Sequence, residues 1–132
     1  MAEEAAYAVE NLRELEDLAQ KHGLAPAMET HFARDALGCE QSGVSLQRLA
    51  PNARQPFGHK HDEEEELYVV VAGSGRVKLD DDVRDLRTWD ALRVSPGVMR
   101  NFEAGPEGME FVAFGSAGLG MDDVDSVQGW WS

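Results

Sequence analysis

Residues 58–73 read GHKHDEEEELYVVVAG. His59 and His61 lie two apart, and residues two apart on a strand point to one face, so their imidazoles converge. Glu66 follows after four intervening residues that make a turn. The LYVVV run after it is rich in strand formers. The stretch therefore reads strand, turn, strand, with Glu66 opening the second strand where the histidines close the first. Two imidazoles and a carboxylate make an N/N/O donor set suited to Fe, Mn, Ni, Zn or Cu. Strand parity sends Tyr68 and Val70 to the same side as Glu66, with Leu67 and Val69 on the other. The four acids at 62–65 read as a solvated turn. Glu65 is a second candidate for the carboxylate role, and parity disfavours it. Gly73-Ser74-Gly75 reads as the next turn.

Outward from this centre the chain keeps the same short period. Residues 44–49 (VSLQRL) alternate apolar and polar as a half-buried strand does, and 51–53 read as a turn. Downstream, strands are predicted over 76–79, 83–86, 91–94, 99–103 and 109–114. Turns fall between them at 80–82, 95–97 and 105–108. The last strand, MEFVAF, reads as buried on both faces. Strands this short and this evenly spaced predict a β-sandwich or barrel. Residues 3–22 read instead as an α-helix. Val9, Leu12, Leu15 and Leu18 recur every three residues, Gly23 suits its end and Pro26 blocks continuation. Residues 28–37 are ambiguous, with a helical look around Phe32 and Leu37. His22 and His31 read as surface or helix-end residues, and Trp89 as core. Trp130 and Trp131, costly to expose, are expected to pack on the barrel or on a second subunit.

The spacing His59-x-His61, Glu66, Gly73 resembles the first motif of the cupin family, H-x-H-x4-E-x6-G. Ala53 holds a position where that family usually has glycine. Residues 89–100 resemble the second cupin motif, with Asp90 and Gly97 in place, Trp89 for the leading glycine and Pro96 one place late. Arg100 stands where the fourth ligand, a histidine, would be. The resemblance covers about 44–115. It implies a mainly β fold, an antiparallel double-stranded β-helix or jelly-roll barrel, to which the N-terminal α-helix is added. The expected division is 1–43 for the helix and connecting segment, 44–115 for the barrel and 116–132 for the C-terminal tail, all one structural domain.

A guanidinium is always protonated and has no lone pair to offer a metal. Beside Glu66, at about 4 Å, its attraction is worth roughly 4 kcal/mol at an effective dielectric of 20, and it repels a divalent cation on the same scale. Two readings follow. In one, Arg100 pairs with Glu66 and the barrel is a pocket for a small, anionic molecule. In the other, His59, His61 and Glu66 hold a divalent transition metal, and Arg100 clamps the substrate of a dioxygenase, isomerase or cyclase. Tyr68 and Phe102 share the inward parity, as barrel filling or as a wall for a planar ligand.

The chain has 132 residues, a usual length for one domain, and a net charge of −13 from 25 acidic and 12 basic residues. That balance argues against nucleic acid and anionic membrane as partners. One cysteine, Cys39, excludes an intrachain disulfide, and no nucleophile–base set for Ser or Cys hydrolysis is visible. With neither a leader pattern nor a long apolar run, the expected location is cytoplasmic. A homodimer is expected from the cupin resemblance.

Overall fold

The computed structural model describes residues 6–115 and 124–131. Its strands are β1 (Met28–Phe32), β2 (Gly43–Leu49), β3 (Phe57–His61), β4 (Glu66–Leu79), β5 (Asp82–Arg87), β6 (Ala91–Val94), β7 (Arg100–Gly115) and β8 (Val124–Gln128). Two of them, β4 and β7, organise the rest. The second half of β7 pairs with β2 and with the first half of β4. The first half of β7 pairs with the second half of β4 and, at His59↔Arg100, with β3. The sheet thus runs β1-β2-β7-β4-β6 along one wall and β8-β3-β7-β4-β5 along the other. All pairings are antiparallel, and the curled sheet is a jelly-roll barrel.

The length of β4 and β7 corrects two expected turns. Gly73-Ser74-Gly75 and residues 105–108 are bends inside continuous strands. Gly75 pairs with Ala104 and Gly73 with Met109, so residues 105–108 bulge opposite Ser74. A bulge of this kind kinks a strand and lets it pass from one wall to the other. Glycine is required there for proximity. A Cβ on Gly73 would lie 2.1 Å from the Gly108 carbonyl oxygen, and one on Gly75 would lie 2.2 Å from that of Glu103. The turn signal was real as backbone chemistry, but cross-strand pairing turned it into a corner.

The apolar filling lies between the walls. Tyr68, Val70, Val77, Phe102, Met109 and Phe111 are buried. Phe102 stacks on Phe111 with centroids 4.5 Å apart, and Tyr68 tilts against Phe102 at 4.9 Å. The outward partners of this set remain wet. Leu67 is 46% exposed and its cross-strand neighbour Phe114 is 41% exposed. The 109–114 run is therefore one-sided, not buried on both faces.

The continuous helix expected over 3–22 is absent from its described part. A 3-10 turn spans Leu12–Glu14, and a single helical turn, α1, spans Leu18–Lys21. Asn11 caps the first through its side chain, and Asp17 caps the second. Each side chain competes for the backbone amides that a helix would use, so the segment breaks at both. Apolar residues three apart also drift off one face of a 3.6-residue helix. Residues 28–37 resolve into β1 and a helical turn, α2 (Arg34–Leu37), which ends on left-handed Gly38.

His31 is buried, not at the surface. Its Nδ1 donates to the Leu15 carbonyl (2.9 Å), and its Nε2 lies 2.8 Å from Glu29. Burial alone would lower its pKa, but the Glu29 contact, the Leu15 carbonyl and the Asp17 charge raise it above the ordinary value. Trp89 is also corrected: it is exposed, not core.

The described end of the tail packs on the barrel. β8 pairs with β3 from Phe57↔Gln128 to His61↔Val124. Trp130 lies against Gly58, where a Cβ would come within 2.6 Å of the indole. Trp131 sits under the Arg54 guanidinium, 4.3 Å from its ring centroid. The stretch 116–123 lies outside the described residues.

Candidate metal centre and barrel mouth

His59 and His61 project from β3 as neighbours on one face, their rings 5.4 Å apart and nearly perpendicular. Glu66 opens β4 opposite them. Its Oε1 lies 3.6 Å from His59 Nε2 and 3.4 Å from His61 Nε2. Arg100 opens β7 directly beside His59. Its Nη2 donates to the same Glu66 Oε1 at 2.9 Å. Its Nε donates to the Tyr68 hydroxyl (3.1 Å) and its Nη1 to the Val98 carbonyl (2.8 Å). The Tyr68 hydroxyl in turn donates to Glu66 Oε1. The structure thus brings His59, His61, Glu66, Tyr68 and Arg100 together. Phe102 lies one layer below, between Tyr68 and Phe111.

Burial sets the electrostatics. Arg100 has no exposed surface and Glu66 is largely covered. Burial by itself would raise the Glu66 pKa. The contacts with His59, His61 and Tyr68 and the Arg100 charge reverse this and hold the carboxyl well below the usual range. Burial and the Glu66 charge push the Tyr68 phenol well above its usual value, against the opposing pull of Arg100. At neutral pH the mouth therefore holds a carboxylate, a guanidinium and a neutral phenol.

Glu64 was missed by sequence reasoning. It belongs to the acidic run read as solvated, yet it is buried, with Oε2 3.2 Å from His61 Nδ1. Gly115 leaves the space for it, since a Cβ there would lie 2.0 Å from Glu64 Oε1. A carboxylate on Nδ1 fixes the orientation of the imidazole and presents Nε2 to the mouth. Glu65, the alternative ligand, is exposed. Strand parity had no purchase on Glu64, because residues 62–65 belong to no strand.

The donor set fits a metal ion in number and spacing. One ligand atom from each of His59, His61 and Glu66 lies within 4.8 Å of the others. Two ligands about 2.1 Å from one ion stand about 3.0–3.4 Å apart at octahedral or tetrahedral angles, close to the distances here. Against this, the Glu66 oxygen facing both imidazoles already accepts from Arg100 and Tyr68.

The chain is thus an antiparallel β-barrel with two strand-borne histidines and a carboxylate grouped at one end. The family model for the cupin domain matches residues 45–115, and the chain belongs to the cupin family. No curated protein matches it. Solved structures do. A cupin protein from Bacteroides fragilis superposes with a TM-score of 0.70 at 23% identity, over 87% of this chain and 88% of that one. Streptomyces PAC13, solved with uridine, gives 0.70 at 16% identity, over 96% and 93%. Salicylate 1,2-dioxygenase from Pseudoaminobacter salicylatoxidans, solved with gentisate, gives 0.67 at 14% identity, over 86% of this chain and 33% of that one. At these identities the likeness is one of fold. Among the described residues no helix is long and apolar enough to cross a membrane.

Proposed function

We propose that this cupin binds a small polar molecule at the barrel mouth, without a resident metal. The observation that carries the reading is the Arg100 Nη2 contact, 2.9 Å from the Glu66 oxygen that both histidines face. A fixed positive charge at that distance occupies the carboxylate and opposes a divalent cation. Arg100 then acts from behind, by fixing Glu66 and Tyr68. An anionic ligand clamped by Arg100, as the sequence suggested, would have to pass both partners to reach a guanidinium without exposed surface. The ligand instead meets His59, the more exposed of the two imidazoles, together with the Glu66 carboxylate. Tyr68, which donates to Glu66, and Phe102 lie buried beneath it as barrel filling.

Elemental analysis of untagged protein, purified without chelator, tests this. The expected result is transition metal far below one ion per chain, with Arg100→His gaining affinity for added Zn²⁺ or Mn²⁺. Stoichiometric metal in the unaltered protein would overturn the proposal.

The second reading, a metal-dependent enzyme of dioxygenase, isomerase or cyclase type, is favoured by the convergence of the three ligand atoms. His59, His61 and Glu66 would hold the ion, which supplies Lewis acidity toward a substrate oxygen. Glu64 would then keep His61 Nε2 aimed at it. In either reading we place a homodimer contact on the outer face of β4 and β7, where Leu67 and Phe114 lie side by side in water. Light scattering on the Leu67→Arg variant checks it, with a monomer expected.

A further inference from the structure

The connection from β5 to β6, two strands that pair with different halves of β4, turns at Thr88 and Trp89, eleven residues before Arg100. Trp89 has φ +75°, in the left-handed region that glycine enters without strain and a bulky residue does not. The conformation is held from several sides. Trp89 N–H donates to the Val70 carbonyl (2.7 Å), Val70 N–H to the Asp90 carbonyl (3.0 Å) and Asp90 N–H to the Arg87 carbonyl (3.0 Å). The Asp90 carboxylate also accepts from the Arg87 N–H, and the Thr88 hydroxyl donates to the Gly73 carbonyl. Such strain persists only where the surroundings over-determine it, and it concentrates at functional sites. The fold buries little of the indole in return, because Trp89 is 74% exposed.

The indole forms one side of an open cleft of about 570 Å³. Ser74, Arg87, Thr88, Asp90 and Glu107 line the rest. We propose that this cleft is a binding site for a neutral saccharide, with the Trp89 indole as its stacking platform. An exposed indole accepts the apolar face of a sugar ring, while its N–H end stays in water. The surrounding groups select the ligand. Asp90 and Glu107 accept hydrogen bonds, Arg87 donates them, and the Ser74 hydroxyl does both. A ring of hydroxyls, each a donor and an acceptor, uses this whole mixture. Asp90 and Glu107 repel a carboxylate or phosphate. Arg87 offsets part of their pull on a cation, and among the described lining residues no second aromatic ring boxes one in. The open shape suits a sugar lying across the surface better than one enclosed by it.

The test follows the three indole N–H signals by NMR in the full-length protein. Trp89 is identified by the signal lost in Trp89→Gly. The probes are neutral gluco-, xylo-, manno- and galacto-oligosaccharides at about 20 mM, well above a millimolar Kd. At least one is expected to shift the Trp89 signal saturably while Trp130 and Trp131 stay in place. Glu107→Gln is expected to weaken that ligand about tenfold, equivalent to about 1.4 kcal/mol. Trp89→Gly should abolish binding without lowering Tm, since glycine relieves the backbone. The proposal fails if no sugar in the panel shifts Trp89, or if only uridine or tetramethylammonium does. It fails equally if Trp89→Gly lowers Tm by more than about 5 °C, because the indole would then be a packing residue.

Discussion

The barrel carries two arginine–glutamate–aromatic clusters of nearly the same composition. At the mouth, Arg100 meets Glu66 and Tyr68. Three residues along the same strand but on its outer face, Glu103 is shared by Arg54 (2.6 Å) and Arg76 (2.6 Å), with Trp131 under both guanidiniums. They differ in water. Arg100 is fully enclosed, whereas the Arg54 and Arg76 side chains are 31% and 45% exposed. A buried pair ties down each partner, since neither tolerates isolation. A half-exposed pair is screened and replaceable. The mouth is therefore rigid and chemically committed, while the outer cluster acts as a fastener for the tail.

Four measurements would sharpen or break that contrast. The largest effect is expected from Arg100→Met, which strands Glu66. Urea unfolding should show a loss of about 3–5 kcal/mol, and adding Glu66→Gln should recover part of it. A loss below 1 kcal/mol would place the two clusters in the same class. Glu64→Gln comes next, at about 1–2 kcal/mol, because a charged contact to His61 becomes a neutral one. Its distinctive readout is a change in the His61 imidazole ¹⁵N shifts, which simple destabilisation would not produce. Glu103→Gln should cost less than about 1 kcal/mol and lose its effect in high salt.

The smallest effects are in pH. Glu66 and Glu103 are both held below the ordinary 4.5, Glu66 by the greater margin and Glu103 by Arg76 and Arg54 against the pull of burial. Their contribution is complete above that value and is lost as pH falls beneath it, Glu103 first. His31 runs the other way. Its pKa is raised from 6.5, so its contribution is complete at lower pH and fades as pH climbs above 6.5. Unfolding in His31→Gln should show no such alkaline decline; an unchanged profile would assign the decline elsewhere.

Much of this was legible in the chain. Period-two reasoning placed Glu66, Tyr68 and Val70 on one side and Leu67 on the other, because parity is a local property of any strand. The bounds of β6 were local too. The glycine corners were not: whether Gly73 and Gly75 close a hairpin or bend a strand depends on what Met109 and Ala104 do across from them. Residues 3–22 misled because threefold spacing imitates a helix while Asn11 and Asp17 undo it. Glu64 was hidden since its burial depends on Gly115, fifty-one positions away. Arg100 was legible as an intruder in a ligand position, yet only coordinates could say which carboxylate oxygen it takes.

The strand bearing both imidazoles meets β7 at one residue pair and β8 at five. Tension on the carboxyl end that passes the Trp131 contacts with Arg54 and Arg76 is therefore handed through β8 to the two histidines. An affinity handle or reporter appended beyond Trp131 would lever on that seam and report a loosened protein.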